Sequence, residues 1–141
     1  MGKEFEFFEH TADIGVRVYA QNIEELFENS AKALFSLITE NKDILPNLER
    51  EITLEAENIE ELLVNWLNEL ISVFFTYKFL PRSYNIKIKE RDLCSLEAFL
   101  KGSDYNPYIN EVKTEVKAAT YHNLKIEKDS SGFKTEIIFD V

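Results

Sequence analysis

Ile14-Gly15-Val16-Arg17-Val18-Tyr19-Ala20-Gln21-Asn22-Ile23-Glu24-Glu25-Leu26 changes its hydrophobic period partway along. Ile14, Val16 and Val18 alternate with Gly15, Arg17 and Tyr19, the period-two pattern of a half-buried strand. Beyond Asn22 the period becomes helical, with Leu26, Phe27, Ser30, Leu34, Leu37 and Ile38 sharing one face. Asn22 can accept a hydrogen bond from the amide of Glu25, whose carboxylate can reach back to the cap, so a capping box starts this helix. The helix is expected to stop near Asn41, with Pro46 in the loop that follows.

The same strand-cap-helix unit recurs. A shift of 36 residues lays Ala20 on Ala56 and Asn22–Leu26 on the identical Asn58–Leu62. Val18 then falls on Leu54, Leu34 on Leu70 and Ile38 on Phe74. The second helix is the more regular, with Ile59, Leu62, Leu63, Trp66, Leu67, Leu70, Ile71, Phe74 and Phe75 on one stripe. Its other face holds Glu61, Asn65, Asn68, Glu69 and Ser72.

Around these units the pattern is of strands: Lys3 to Glu9, Glu51 to Glu57, Tyr84 to Lys89, Leu93 to Lys101 and Thr135 to Val141. Gly102 to Pro107 is expected to be a loop, and Asp129-Ser130-Ser131-Gly132 a hairpin turn. Val112 to Glu127 alternates throughout and is expected to form one long strand or two short ones. The expected fold is therefore α+β: a single domain over residues 1–141, mostly antiparallel β-sheet packed with two amphipathic helices, both on one side of the sheet.

An apolar fraction of 45% with 13% aromatics supports a real core. The N-terminal residues show no signal-peptide pattern, and no apolar run is long enough to span a membrane, so the expected location is cytoplasmic. Cys94 is the only cysteine, which excludes an intrachain disulfide and a thiolate zinc cluster. Net charge is -10, with 16 basic against 26 acidic residues. Tight direct binding to nucleic acid is thus not expected, and a basic partner or a divalent cation suits the chain better.

The chemical candidates lie at the chain's two ends. Asp13 stands at the mouth of its strand, on the face opposite Ile14 and Val16. It can close an Asx-turn, or offer a hard oxygen to a divalent cation. Asp140 and Val141 end a strand pattern that runs to the last residue. If the first and last strands converge, Asp13, Asp140 and Val141 form an all-oxygen set suited to Ca2+ or Mg2+ rather than Zn2+. His122, on an apolar face, reads as a core residue, whereas His10 belongs to the polar elbow His10-Thr11-Ala12-Asp13 and reads as exposed. Lys117 and Glu69 are each either surface charges or groups held for a partner. No nucleophile motif and no glycine-rich phosphate loop is present.

Four stretches taken together resemble the archease family: Phe8-Glu9-His10-Thr11-Ala12-Asp13-Ile14-Gly15, Leu62-Leu63-Val64-Asn65-Trp66-Leu67-Asn68-Glu69-Leu70, Glu115-Val116-Lys117-Ala118-Ala119-Thr120-Tyr121-His122 and Ile138-Phe139-Asp140-Val141. They follow the family's order across the whole chain. The resemblance implies a non-catalytic protein cofactor of the RtcB-type RNA ligase, which joins tRNA halves after intron removal. Such a cofactor promotes guanylylation of the ligase and multiple turnover, and can broaden the nucleotide that the ligase accepts. It also implies a divalent-cation site, Ca2+ ahead of Mg2+ or Mn2+, held by the carboxylates of Asp13 and Asp140 and an oxygen of Val141. Lys117, Glu69 and His10 are implied as residues acting on the ligase. Ala119 stands where the family often has a β-branched residue.

Two other classes stay open on the sequence. One is a metal-dependent enzyme acting on a small phosphorylated substrate, with His10 or His122 as base. The other is an interaction module that uses the Trp66 helix as a groove binder, which requires Trp66 to be exposed.

Overall fold

A computed structural model describes residues 3–40, 43–108, 110–121 and 123–141, with His10 described by its backbone alone. The chain runs β1 (Phe5–His10), β2 (Asp13–Ala20), α1 (Ile23–Ile38), β3 (Leu48–Ala56), α2 (Ile59–Tyr77), β4 (Phe79–Glu90), β5 (Cys94–Asp104), β6 (Ala118–Thr120), β7 (Glu127–Asp129) and β8 (Gly132–Asp140).

The two helix starts are copies in three dimensions. Asn22 and Asn58 have nearly identical extended backbones, φ -143° and -145°, and each accepts the amide three residues on at 2.8 Å. Glu61 returns the bond to the Glu57 amide at 3.1 Å, and Glu25 reaches the Gln21 amide at 3.4 Å. Both capping boxes therefore form as expected. Thr39 ends α1 two residues before Asn41.

The strands build two sheets where one was expected. The first has the order β1-β2-β8-β6, with β7 also on β8, and the second has the order β3-β5-β4. Every ladder is antiparallel. The duplicated units thus put their strands, β2 and β3, in different sheets. Each helix touches strands of both: α1 reaches β1, β2, β8 and β4, and α2 reaches β3, β4, β5 and β6. Alternation reports which face of a strand is buried but not which strand lies beside it, so the division into two sheets is invisible to that pattern.

The core sits where the helices meet both sheets. Trp66, Phe27, Phe79 and Phe139 are among its largest fully buried side chains. The Trp66 indole N–H donates to the Phe27 carbonyl at 3.0 Å, tying α2 to α1. Trp66 is 0% exposed, which removes the groove-binding reading of this helix.

Two boundaries move. β5 continues through Gly102 to Asp104, into the stretch expected to be a loop, because Phe79 and Leu80 extend β4 to pair with it. Residues 112–127 hold only the short strands β6 and the start of β7, plus a bridge between Val112 and Thr39. The hairpin turn forms as expected. Asp129 pairs with Gly132, and Gly132 takes φ +129°, a conformation that glycine adopts without the clash a side chain would bring.

Candidate functional site

The first sheet turns one face to the helices, and Val16, Val18, Ile137 and Phe139 lie fully buried there. Directly paired residues share a face, so the register gives the composition of the other one. Glu6, Arg17 and Glu136 form one row across β1, β2 and β8. The Arg17 guanidinium bonds Glu136 at 2.7 Å and lies 4.4 Å from the centre of the Phe8 ring. Phe8, Gly15, Ile138 and Thr120 form the next row. The Phe8 ring occupies the space that a side chain at Gly15 would need, which is why glycine stands there.

The last row is the candidate site. His10 pairs with Asp13, and Asp140 pairs with Ala118. The β2–β8 register reaches Ile14 opposite Phe139, and one further step sets Asp13 beside Asp140. The chain's first hairpin and its last strand therefore converge, which meets the condition set by the sequence reading, with both carboxylates on the helix-free face. Asp13 is half-buried, Asp140 is exposed and Val141 is half-buried. Thr11 and Ala12 make the reversal, so Asp13 opens the strand and does not form the bend itself. Thr11 has φ +51°, a left-handed conformation uncommon for a β-branched residue.

Lys117 joins this corner through its backbone. Its amide donates to the Asp140 carbonyl at 2.8 Å, and its side chain is exposed. The irregular segment before it is held in the same way, by the Lys113 amide on the Ile38 carbonyl at 2.7 Å. Its alternating charges and apolar groups imitate a strand, but its backbone partners are single and distant.

Glu69 lies half-buried on α2, and that helix reaches the corner through its neighbour Asn68. The Asn68 carboxamide accepts from the Ala119 amide at 2.8 Å and donates to the Ala119 carbonyl at 3.2 Å. One turn earlier, Asn65 accepts from the Tyr121 hydroxyl at 3.1 Å. Burial, then the charge of Glu61, pushes the Tyr121 phenol up, so it keeps its proton for that bond. These two asparagines are the residues that sequence reasoning placed merely on a polar face. The available signal was propensity: asparagine is a poor helix former, and two of them inside one regular helix call for a reason outside the helix. His122 lies outside the described residues.

The donor set at the corner is oxygen only: two carboxylates in one cross-strand row, with Val141 one residue further. That chemistry suits a hard cation. Among the described residues, no three His, Cys, Asp or Glu side chains converge to hold a metal ion. A cation here would therefore rest on two side chains and complete its shell with Val141, water or a partner's groups. Among the described residues, no helix is long and apolar enough to cross a membrane.

Comparison with known proteins bears on the chain as a whole. The family profile described as "Archease protein family (MTH1598/TM1083)" matches residues 5–141. The protein archease of Methanosarcina mazei is 36% identical, over 99% of this chain and 97% of that one. The protein archease of Sulfurisphaera tokodaii is also 36% identical, over 99% of both chains. The solution structure of Methanobacterium thermoautotrophicum protein 1598 superposes with a TM-score of 0.86 at 33% identity, covering 98% of this chain and 99% of that one.

Proposed function

The chain belongs to the archease family, and on that premise we propose that it is an accessory activator of an RtcB-type tRNA-splicing RNA ligase. In this reading it promotes the ligase's guanylylation and multiple turnover in joining tRNA halves, broadens its nucleotide use, and performs no catalysis of its own. The observation that carries the reading is the gathering of distant motifs at one corner. Asp13 and Asp140 lie in one row, and Lys117 is bonded to Asp140. Asn68, beside Glu69, is bonded to the strand that pairs with Asp140. Four segments spread over the chain meet at an open face where no deep pocket is needed, as suits a surface that works on another protein.

Asp13 and Asp140, with an oxygen of Val141, would hold a divalent cation, Ca2+ first with Mg2+ or Mn2+ as alternatives. When bound, the cation supplies positive charge to phosphate oxygens in an otherwise acidic surface. The chain's own residues orient that charge. Asp13 is fixed by the hairpin, and Asp140 by its pairing with Ala118. Lys117 presents its ammonium from a backbone anchored to Asp140, and in this reading Glu69 and His10 also act on the ligase. Net charge of -10 suits docking on the basic surface of an RNA-binding enzyme, and complementary charge raises the rate of encounter.

The test is to incubate substoichiometric protein with a cognate RtcB-type ligase, radiolabelled GTP and Mn2+, and to count covalent ligase–GMP over time. The expected outcome is a rise in guanylylation that Asp13→Ala and Asp140→Ala each abolish. Unchanged guanylylation with a folded protein and an active ligase would overturn the reading, and would turn attention to phosphatase and nuclease assays with Mn2+ or Mg2+.

A further inference from the structure

We propose that Asn68 is a positioning residue for the Asp13–Asp140–Lys117 corner, acting as a surrogate strand along the free edge of β6. The inference rests on the activation reading above.

β6 is only three residues long, Ala118–Thr120, and lies at the edge of its sheet with β8 on one side. A strand so short, paired on one side, has little cohesion of its own. Its outer edge exposes an N–H and a C=O at Ala119, a residue only 4% exposed, and such groups are costly to leave unpaired. The Asn68 carboxamide has one donor side and one acceptor side, spaced like a peptide group. It satisfies both Ala119 groups at once, at 2.8 Å and 3.2 Å. This is the bonding that a neighbouring strand would supply, delivered by a side chain on α2.

The consequence reaches the corner through the backbone. Ala118 pairs with Asp140, Ala119 with Phe139, and the Lys117 amide bonds the Asp140 carbonyl. The chain entering β6 has one isolated bridge, Val112 to Thr39, is irregular from residue 113 to 117, and contributes no ladder that could hold Lys117 in place. Asn68 is thus the side chain of α2 that bonds the backbone of β6 next to Lys117, beside the burial of Val116 and the Asn65–Tyr121 bond. The same anchor fixes the position of Asn68's neighbour Glu69 relative to β6. Aspartate in place of Asn68 keeps the acceptor for the Ala119 N–H and loses the donor to its C=O, while alanine loses both.

The experiment compares the full-length protein with Asn68→Ala, Asn68→Asp and Asp13→Ala. Amide hydrogen exchange at Lys117 and Ala119 is followed by NMR. Ligase–GMP formation is followed as a function of protein concentration, below each variant's melting transition. The expected result for Asn68→Ala is faster exchange at both amides and a plateau of ligase–GMP formation lowered about tenfold, the usual scale for losing an outer-shell support. Asn68→Asp should fall between alanine and wild type. A purely structural role would lower the melting temperature and leave the plateau at its wild-type level. A folded Asn68→Ala with a wild-type plateau, alongside an inactive Asp13→Ala, would overturn the proposal. If Asp13→Ala is itself as active as wild type, the activation reading fails instead. Should Asn68→Ala not fold, Asn68→Asp decides by the same two measurements.

Discussion

At the scale of single residues, the candidate corner is built under tension at one point. Thr11 sits at φ +51° in the reversal between His10 and Asp13. A branched side chain crowds its own backbone there, at a cost of about 1–3 kcal/mol. Strain of this kind persists where the surroundings dictate the backbone, and here both strands of the hairpin are clamped. β1 is zipped to β2 from Phe5 to His10, and Phe8 is laid over Gly15 under the Arg17 guanidinium. Thr11→Gly should therefore stabilise the fold by about 1 kcal/mol, the relieved strain being partly offset by the freer unfolded chain. The urea midpoint checks this, and a lower midpoint would mean that the threonine side chain makes a compensating contact. The sequence exposed this elbow and the face of Asp13, because both follow from strand alternation, whereas the convergence with Asp140 stood there only as a condition, since alternation does not say which strand lies beside β2. It did not expose the strain, since nothing in the residue types at Thr11 and Ala12 requires a left-handed bend.

At the scale of elements, the two capping boxes permit a controlled comparison within one molecule. Asn22 and Asn58 share backbone conformation, hydrogen-bond length and the following Ile-Glu-Glu-Leu. Replacing either by alanine leaves an amide unpaired at a helix start and should cost about 1 kcal/mol. The double replacement should cost the sum within about 0.5 kcal/mol, because the caps begin different helices and share no partner. Denaturant unfolding of the two single variants and the double variant measures both statements, and a shortfall in the double would reveal coupling through the α1–α2 contact. Caps and helical stripes were legible because their causes are local, a few residues from their effects. The stretch from Val112 to Glu127 was misread for the opposite reason. Lys113 is held by Ile38 and Lys117 by Asp140, and the edge of Ala119 is taken by Asn68. An alternating sequence cannot show that its backbone partners are a helix end and a side chain. The same blindness hid the division into two sheets.

At the scale of the whole molecule, charge and topology pull in one direction. The helices are shared between two sheets and buried, so no apolar groove is left on Trp66 for a partner to enter. What the fold offers is an open sheet face edged by Asp13 and Asp140, on a chain of net charge -10. Recognition through such a surface depends on fields more than on buried area, and fields are screened by salt. The Debye length shrinks from about 10 Å at 0.1 M salt to about 3 Å at 1 M. If the protein docks on a basic ligase surface, the concentration needed for half-maximal guanylylation should climb steeply over that range. The plateau reached at saturation should change far less, because salt weakens the encounter and not the geometry of the docked corner. Titrating the protein against a fixed amount of ligase at several salt concentrations separates the two quantities, with ligase activity alone measured at each salt as the reference. A half-maximal concentration indifferent to salt would mean that the contact is dry and apolar, and would move the docking surface away from the acidic face. A plateau that collapses together with affinity would instead mean that salt reaches the carboxylate corner itself, as expected if the cation held by Asp13 and Asp140 makes the decisive contact.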